Sequence, residues 1–225
     1  DEMRKTYVVT GNQGKSVFSY YLASELARRK QKVALIQTDG CKPMFRLLFP
    51  TKQPVPGRSL GRLLSLAAVT KNNVLQNAQM ASNILIFSYA EGESALSYPE
   101  ITQTNLSNFY NALSLLVDMI VVDTAAPSNA IDAFFLDKGD EICVTSADAR
   151  GVAYRENQKP QGTQILIRNS PYNALPDVMA TFPEPVPVLP YSKALSSLYN
   201  GIDICDIPIP GGYRRIIRRI AGDTV

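Results

Sequence analysis

Three stretches of the chain carry residue types able to handle phosphate. The first is Gly11-Asn12-Gln13-Gly14-Lys15-Ser16, set between the apolar run of Thr6 to Val9 and an amphipathic segment beginning at Val17. Glycines at such a junction let main-chain N–H groups turn into a concavity, and the positive end of the following helix adds to the attraction for anions. Lys15 is placed to reach β- and γ-phosphates, and Ser16, in the first helical turn, to offer its hydroxyl to Mg²⁺. The second stretch, Lys32 to Asp39 (KVALIQTD), and the third, Met119 to Pro127 (MIVVDTAAP), each deliver an aspartate from an apolar run. A carboxylate at the end of a buried strand, as Asp123 is here, is how a phosphate-binding α/β fold holds its Mg²⁺ a second time. Each signal has a plainer reading. The hexapeptide fits a turn before a helix, and Asp39 fits the start of the turn Asp39-Gly40.

Composition removes several chemistries. The chain has 225 residues, 45% hydrophobic and 19% charged, which suits one soluble domain with a full central sheet. There is no histidine, so imidazole acid, base or nucleophile chemistry is excluded. The three cysteines, Cys41, Cys143 and Cys205, form no C-x-x-C pair, which argues against zinc and suits a reducing cytosol. A net charge of +3 gives no general case for a nucleic-acid groove. No signal peptide and no apolar run near membrane-spanning length stands out.

The elements needed to position these residues follow the chain. Phe18, Tyr21, Leu22, Leu26 and Ala27 recur at helical spacing, with Glu25, Arg28 and Arg29 on the other side. With the strand of Lys32 to Asp39, this makes a parallel crossover unit. Residues 40 to 62, rich in Pro and Gly, read as an irregular connection holding one apolar piece, Met44 to Phe49. A helix is expected over Ser59 to Val69, a strand over Asn83 to Tyr89 and a helix over Thr102 to Val117. Strands follow at Asp140 to Ser146 and Gln164 to Asn169, joined by a helix over Arg150 to Gln158. The tail alternates Tyr213, Ile216, Ile217 and Ile220 with Arg214, Arg215, Arg218 and Arg219, a basic amphipathic helix. It fits a last packed helix or one lying on an anionic membrane.

The loop spacing separates two classes. The ordinary phosphate loop needs glycine six residues before the lysine, where this chain has Val9; the shorter form, with glycine four before, fits through Gly11. Thr10-Gly11-Asn12-Gln13-Gly14-Lys15-Ser16 resembles the deviant loop K-G-G-x-G-K-[ST] of the MinD/ParA ATPases. Two positions depart from it: the second glycine is Asn12, and the signature lysine that reaches a partner subunit's nucleotide is Thr10. Asp39 matches the second aspartate of the family's D-x-D switch, with Gln37 at the first, and Asp123-Thr124-Ala125-Ala126-Pro127 resembles its D-T-[AP]-P switch. Asn169 stands where the family reads the adenine edge, although Asn before Ser-Pro also suits a turn. Val186 to Tyr191 resembles the strand that brings Pro190 beside the base, and Ala194 to Gly201 the short helix after it.

The resemblance implies a three-layer α/β/α fold with a mostly parallel sheet, one P-loop ATPase-like domain over residues 1 to 225. It implies ATP and Mg²⁺ as ligands. Gly11, Asn12, Gln13, Gly14, Lys15, Ser16, Val17, Asn169 and Pro190 would contact nucleotide, Ser16 and Asp123 the metal, and Lys15 and Asp39 would act on the reacting phosphate. Among relatives, the eroded loop looks most like the divergent CpaE/TadZ kind. Those relatives are implied to be cytoplasmic homodimers that localise or assemble pilus or secretion machinery, often with a receiver-like domain upstream, which would account for a start at Asp1. Without the lysine at Thr10, hydrolysis is expected to be slow or absent. Two other readings stay open: a dimeric scaffold indifferent to nucleotide, and a DNA-partitioning ATPase using tail or switch arginines. Weak peripheral membrane contact through residues 212 to 220 is a further expectation.

Overall fold

The structure is a computed structural model describing residues 5–42, 44–125, 130–171 and 175–222. Strand β1 (Lys5–Gly11) leads through the glycine loop into α1 (Lys15–Arg28), and the chain returns as β2 (Val33–Gln37). Three short helices come next, α2 (Met44–Leu48), α3 (Leu60–Leu64) and α4 (Lys71–Asn77), and then β3 (Gln79–Ala81) and β4 (Ile84–Phe87). The second half alternates: α5 (Gln103–Ser114), β5 (Met119–Asp123), α6 (Ala130–Leu136), β6 (Asp140–Ser146), α7 (Ala149–Gln158), β7 (Thr163–Ile167), α8 (Leu175–Met179), β8 (Val188–Leu189) and α9 (Gly211–Ile220).

The eight strands form one sheet in the order β3-β4-β2-β5-β1-β6-β7-β8, parallel except for β3 against β4. Sheets of this kind are covered on both faces, which is why β2 (VALIQ) and β5 (MIVVD) are buried at every position. Alternate side chains of β1 feed two cores. Tyr7 and Val9 pack with Phe18, Tyr21, Leu22 and Leu26 of α1, whereas Val8 packs with Leu63, Leu106, Phe109 and Phe135 of α3, α5 and α6. The three-layer α/β/α architecture with a mostly parallel sheet is therefore present.

Register decides what meets at the sheet's upper edge. Val9 of β1 and Gln37 of β2 both pair with Asp123 of β5, so these three positions form one row across the sheet. The next residues of β1 are Thr10 and Gly11, the mouth of the glycine loop. From β1 the chain crosses to one side, while β6 lies on the other, which makes this the topological switch point where ligands collect in open α/β sheets.

Several expectations shift. The helix foreseen over Ser59 to Val69 stops at Leu64, and α4 with the antiparallel β3 follows. Ser59 caps α3, its Oγ accepting from the N–H groups of Gly61 and Arg62. Only Val188 and Leu189 of the Val186 to Tyr191 stretch pair with β7. Ala126 and Pro127 of the second switch lie outside the described residues. Glu25, placed on the solvent side by periodicity, is 2% exposed. Arg218 of α9 reaches it at 3.4 Å, and Arg28 binds it at 2.6 Å. The tail helix is thus the fold's last packed helix: Tyr213 and Ile217 are buried, while Arg214, Arg215 and Arg219 face solvent.

Candidate functional site

The loop is built from backbone conformations that demand glycine. Gly11 has φ 127°, and a Cβ there would lie 1.7 Å from the carbonyl oxygen of Val144 on β6. Gly14 has φ 77° and serves as the residue before α1. A Cβ on it would meet Ile167 Cδ1 at 2.5 Å, so the loop sits directly on the end of β7. Lys15 Nζ donates to the Gly11 carbonyl at 3.0 Å and reaches the Ala125 carbonyl at 3.5 Å. The ammonium therefore spans the concavity from the loop to the segment after β5.

Asp123 stands at the end of β5, 3% exposed, and its Oδ1 is buried without a hydrogen-bond partner. Burial pushes its carboxyl up to about 6, opposed by the Ser16 hydroxyl, the Lys15 ammonium and the Gln37 amide, and reinforced by the Asp132 carboxylate. A buried carboxylate beside a serine hydroxyl, with an oxygen left unpaired, is a hard-oxygen donor set of the type Mg²⁺ takes. The site residues fit that ion and a polyphosphate: the glycine cradle has no room for a side chain, and Asp123, beside the Ser16 hydroxyl, keeps one buried oxygen unpaired.

Asp39 lies two residues past β2, on the same rim as Lys15 and Asp123. Its Oδ1 accepts from the Cys41 N–H at 2.9 Å and its Oδ2 lies 3.8 Å from Lys42 Nζ, so here it shapes its own turn. Asn12 is exposed at the backbone bend but its amide is stapled to the end of β6: Nδ2 donates to Ser146 Oγ at 2.9 Å, and Oδ1 accepts from the Ser146 N–H at 2.9 Å. Thr10 is buried and its hydroxyl donates to Glu141 at 2.8 Å. The side chain is thus directed along the sheet to β6 and is short and neutral.

Beside the loop is a cavity of about 320 Å³, lined by Gln13, Val17, Asn169, Tyr191, Leu195 and Tyr213 among others. Asn169 Nδ2 donates to Gln13 Oε1 at 2.7 Å, joining the turn after β7 to the phosphate loop. Pro190 is exposed next to this cavity and packs against Gly212 at the start of α9. Sequence analysis brought Gln13, Val17 and Asn169 to one pocket; the contribution of Tyr213 came from a helix assigned to other work.

Comparison with solved structures places this arrangement. A ParA family ATPase from Chlorobium tepidum TLS superposes with a TM-score of 0.75 over 97% of this chain and 99% of its own, at 14% identity. MinD from the MinC:MinD cell division complex of Aquifex aeolicus gives 0.71 over 98% and 97%, at 15% identity. The septum site-determining protein MinD of Pyrococcus horikoshii OT3, complexed with Mg-ADP, gives 0.68 over 96% and 94%, at 16% identity. The fold is that of the ParA/MinD P-loop ATPases. No family model and no curated protein matches the sequence.

Within the ParA/MinD fold, three further residues attend the site that sequence reasoning left out. Asp132 of α6, fully buried, accepts from the Thr38 hydroxyl and from the Ala125 N–H at 3.2 Å. Thr38 Oγ1 in turn accepts from the Ala125 N–H at 3.0 Å, so the segments after β2 and β5 are cross-linked beneath Lys15. Tyr154 of α7 accepts from the Gly11 N–H at 3.1 Å and holds the loop from the other side. They stand beside Gln37, named above at the first D-x-D position, which is buried with both amide atoms unpartnered and lies next to Asp123. Asp132, Thr38 and Tyr154 carry no local motif. Each matters because topology brings it to the switch point.

Proposed function

We propose that this chain binds ATP together with Mg²⁺ and is a slow ATPase or an inactive one. The observation that carries the reading is Asp123: a 3% exposed carboxylate with an orphaned oxygen, adjoining Ser16 and Lys15 at the mouth of a glycine cradle. Loop amides and Lys15 hold phosphate, Ser16 and Asp123 hold the metal, and the cavity at Asn169 and Val17 takes the base. Bound Mg²⁺ supplies neutralisation of the charge on the β- and γ-phosphates. The protein's part is positional and electrostatic. Lys15 exchanges its carbonyl contacts for phosphate oxygens, and the Asp132 latch fixes the segment whose carbonyl Lys15 leaves.

Slow turnover follows from two side chains. Thr10 stands where a lysine would reach a second subunit's nucleotide, and its hydroxyl is tied to Glu141. Gln37 replaces a first carboxylate with a neutral, buried amide. Asp39 retains the place from which a carboxylate orients water, but it must release the Cys41 N–H and swing inward to act. A dimeric, nucleotide-dependent localisation or assembly factor, of the CpaE/TadZ kind and serving pilus or secretion machinery, is the role that best suits a binder with so little catalysis. The self-contained hydrogen bonding of Lys15 and Asn12 favours, as a second reading, a scaffold that needs no nucleotide.

Calorimetric titration with Mg-ATP separates them. Saturable binding that weakens at least roughly tenfold in Lys15→Ala, with the loss of a charge-assisted phosphate contact, is the expected result. No heat at millimolar nucleotide would leave the scaffold standing. Robust phosphate release, abolished in Thr10→Ala, would refute the slow-turnover assignment.

A further inference from the structure

We propose that Gln13 is a positioning residue that fixes the orientation of the Asn169 amide and thereby decides which base edge the cavity accepts. This rests on the nucleotide reading above. Gln13 lines the cavity, whereas its neighbour Asn12 is bonded to Ser146 of β6 and Lys15 turns back to the Gly11 carbonyl. It lies between the two glycines whose backbones shape the cradle, and its carbonyl oxygen takes the N–H of Asn169 at 2.7 Å. A second close approach, Gly14 against Ile167, holds the loop and the end of β7 together at the same place. The pair is therefore carried by two segments already in contact.

A primary amide offers a donor on one side and an acceptor on the other, and a flip exchanges them. With one Nδ2 N–H committed to Gln13, Asn169 keeps Oδ1 as an acceptor for whatever enters a pocket that Val17, Tyr191 and Tyr213 also line, together with the polar Arg168, Ser192 and Ser196. Such a site suits a base whose facing edge is an exocyclic amino group, as on a 6-aminopurine. A 6-oxo base would set two oxygens against each other, and a polar site built for one hydrogen bond rejects the analogue that cannot make it. Because Gln13 belongs to the phosphate loop, base identity and loop position are read by one pair of side chains.

Adenosine and inosine triphosphates differ in carrying amino or oxo at position 6, with the accompanying proton on N1 of the oxo base, so the ratio of their affinities cancels every phosphate and metal contact and reads the base edge alone. Titrating both, with Mg²⁺, into the wild-type chain and into Gln13→Glu, Gln13→Ala and Gln13→Lys tests the assignment, with thermal melts confirming that each variant folds. The wild type is expected to favour ATP by about tenfold or more. Glutamate, an acceptor only, keeps that ratio although its charge lowers both affinities. Alanine brings the ratio toward unity. Lysine, a donor only, turns Oδ1 of Asn169 toward itself and carries the ratio to unity or below. Variants that bind ATP and retain the wild-type ratio in alanine and lysine overturn the role given to Gln13 alone. A wild type that binds neither triphosphate overturns the nucleotide reading itself.

Discussion

At the scale of single residues, the site depends on holding Asp123 in a place where a carboxylate is uncomfortable. Its pKa is raised to about 6 because burial disfavours the ion, and the Ser16, Lys15 and Gln37 groups recover only part of that cost. Between the ordinary aspartate value and about pH 6, the native state holds a proton that the unfolded chain has released, so this residue makes stability fall as pH rises through that interval. Raising the carboxyl from the ordinary aspartate value to about 6 corresponds to roughly 3 kcal/mol, fully felt above pH 6. Asp123→Asn should therefore stabilise the ligand-free chain by about 1–3 kcal/mol at pH 7.5 and by nearly nothing at pH 4, measured by urea unfolding at the two values. The same substitution should remove the Mg²⁺-dependent part of nucleotide binding. In the wild type that part should weaken as pH drops below 6, since the metal needs the deprotonated ligand. A variant no more stable at pH 7.5 than at pH 4, relative to wild type, would show that Asp123 is not under strain.

At the scale of elements, the decisive case is α9. Its alternation of isoleucines with arginines is equally good for a membrane surface and for a packed helix, because periodicity reports which residues share a face and not what covers it. The answer lies on α1: Glu25 is buried there, and Arg28, Arg29 and Arg218 converge on it. Its partner guanidiniums, the Arg28 bond first, hold the carboxyl below its usual range, so this contact stabilises the fold above that range and fades as acid protonates it. With Ile217 fully buried, Ile217→Ala should cost about 2–4 kcal/mol in denaturant unfolding, whereas Arg214→Ala, on the exposed face, should fall within about 0.5 kcal/mol of wild type. Equal, small effects would mean that the helix is free to leave. The main strands and α1, α5 and α7 were legible from apolar runs and helical spacing, because burial imposes those patterns locally. The short α4, β3 and α6 were not. Three to seven residues hold too few turns of any period, and their place is set by what they cover.

At the scale of the whole molecule, the site exists only because eight strands fall in one order. Gly11, Gln37, Asp123 and Asp132 are scattered over the chain, and it is the register of β1 and β2 on either side of β5 that gathers them at one rim. The loop and Asp123 could be read from sequence because strand ends in parallel sheets share a side. The Thr38–Asp132–Ala125 latch, the Tyr154 contact and the Gln13–Asn169 pair could not, since each depends on side chains meeting across separate crossovers. A ligand held by residues from so many elements must stabilise all of them together. At a hundredfold excess over its dissociation constant, Mg-ATP contributes about 2.7 kcal/mol to the native state. For a chain of this length that should raise the melting temperature by roughly 5–10 °C. Lys15→Ala and Asp123→Asn should each lose most of the rise at the same nucleotide concentration, and so should Asp132→Asn, which touches no phosphate but replaces one of the two oxygens that accept from Thr38 and Ala125 with a donor. If Asp132→Asn keeps the full rise, the latch supports the fold without positioning the ligand, and the site reduces to the loop and Asp123.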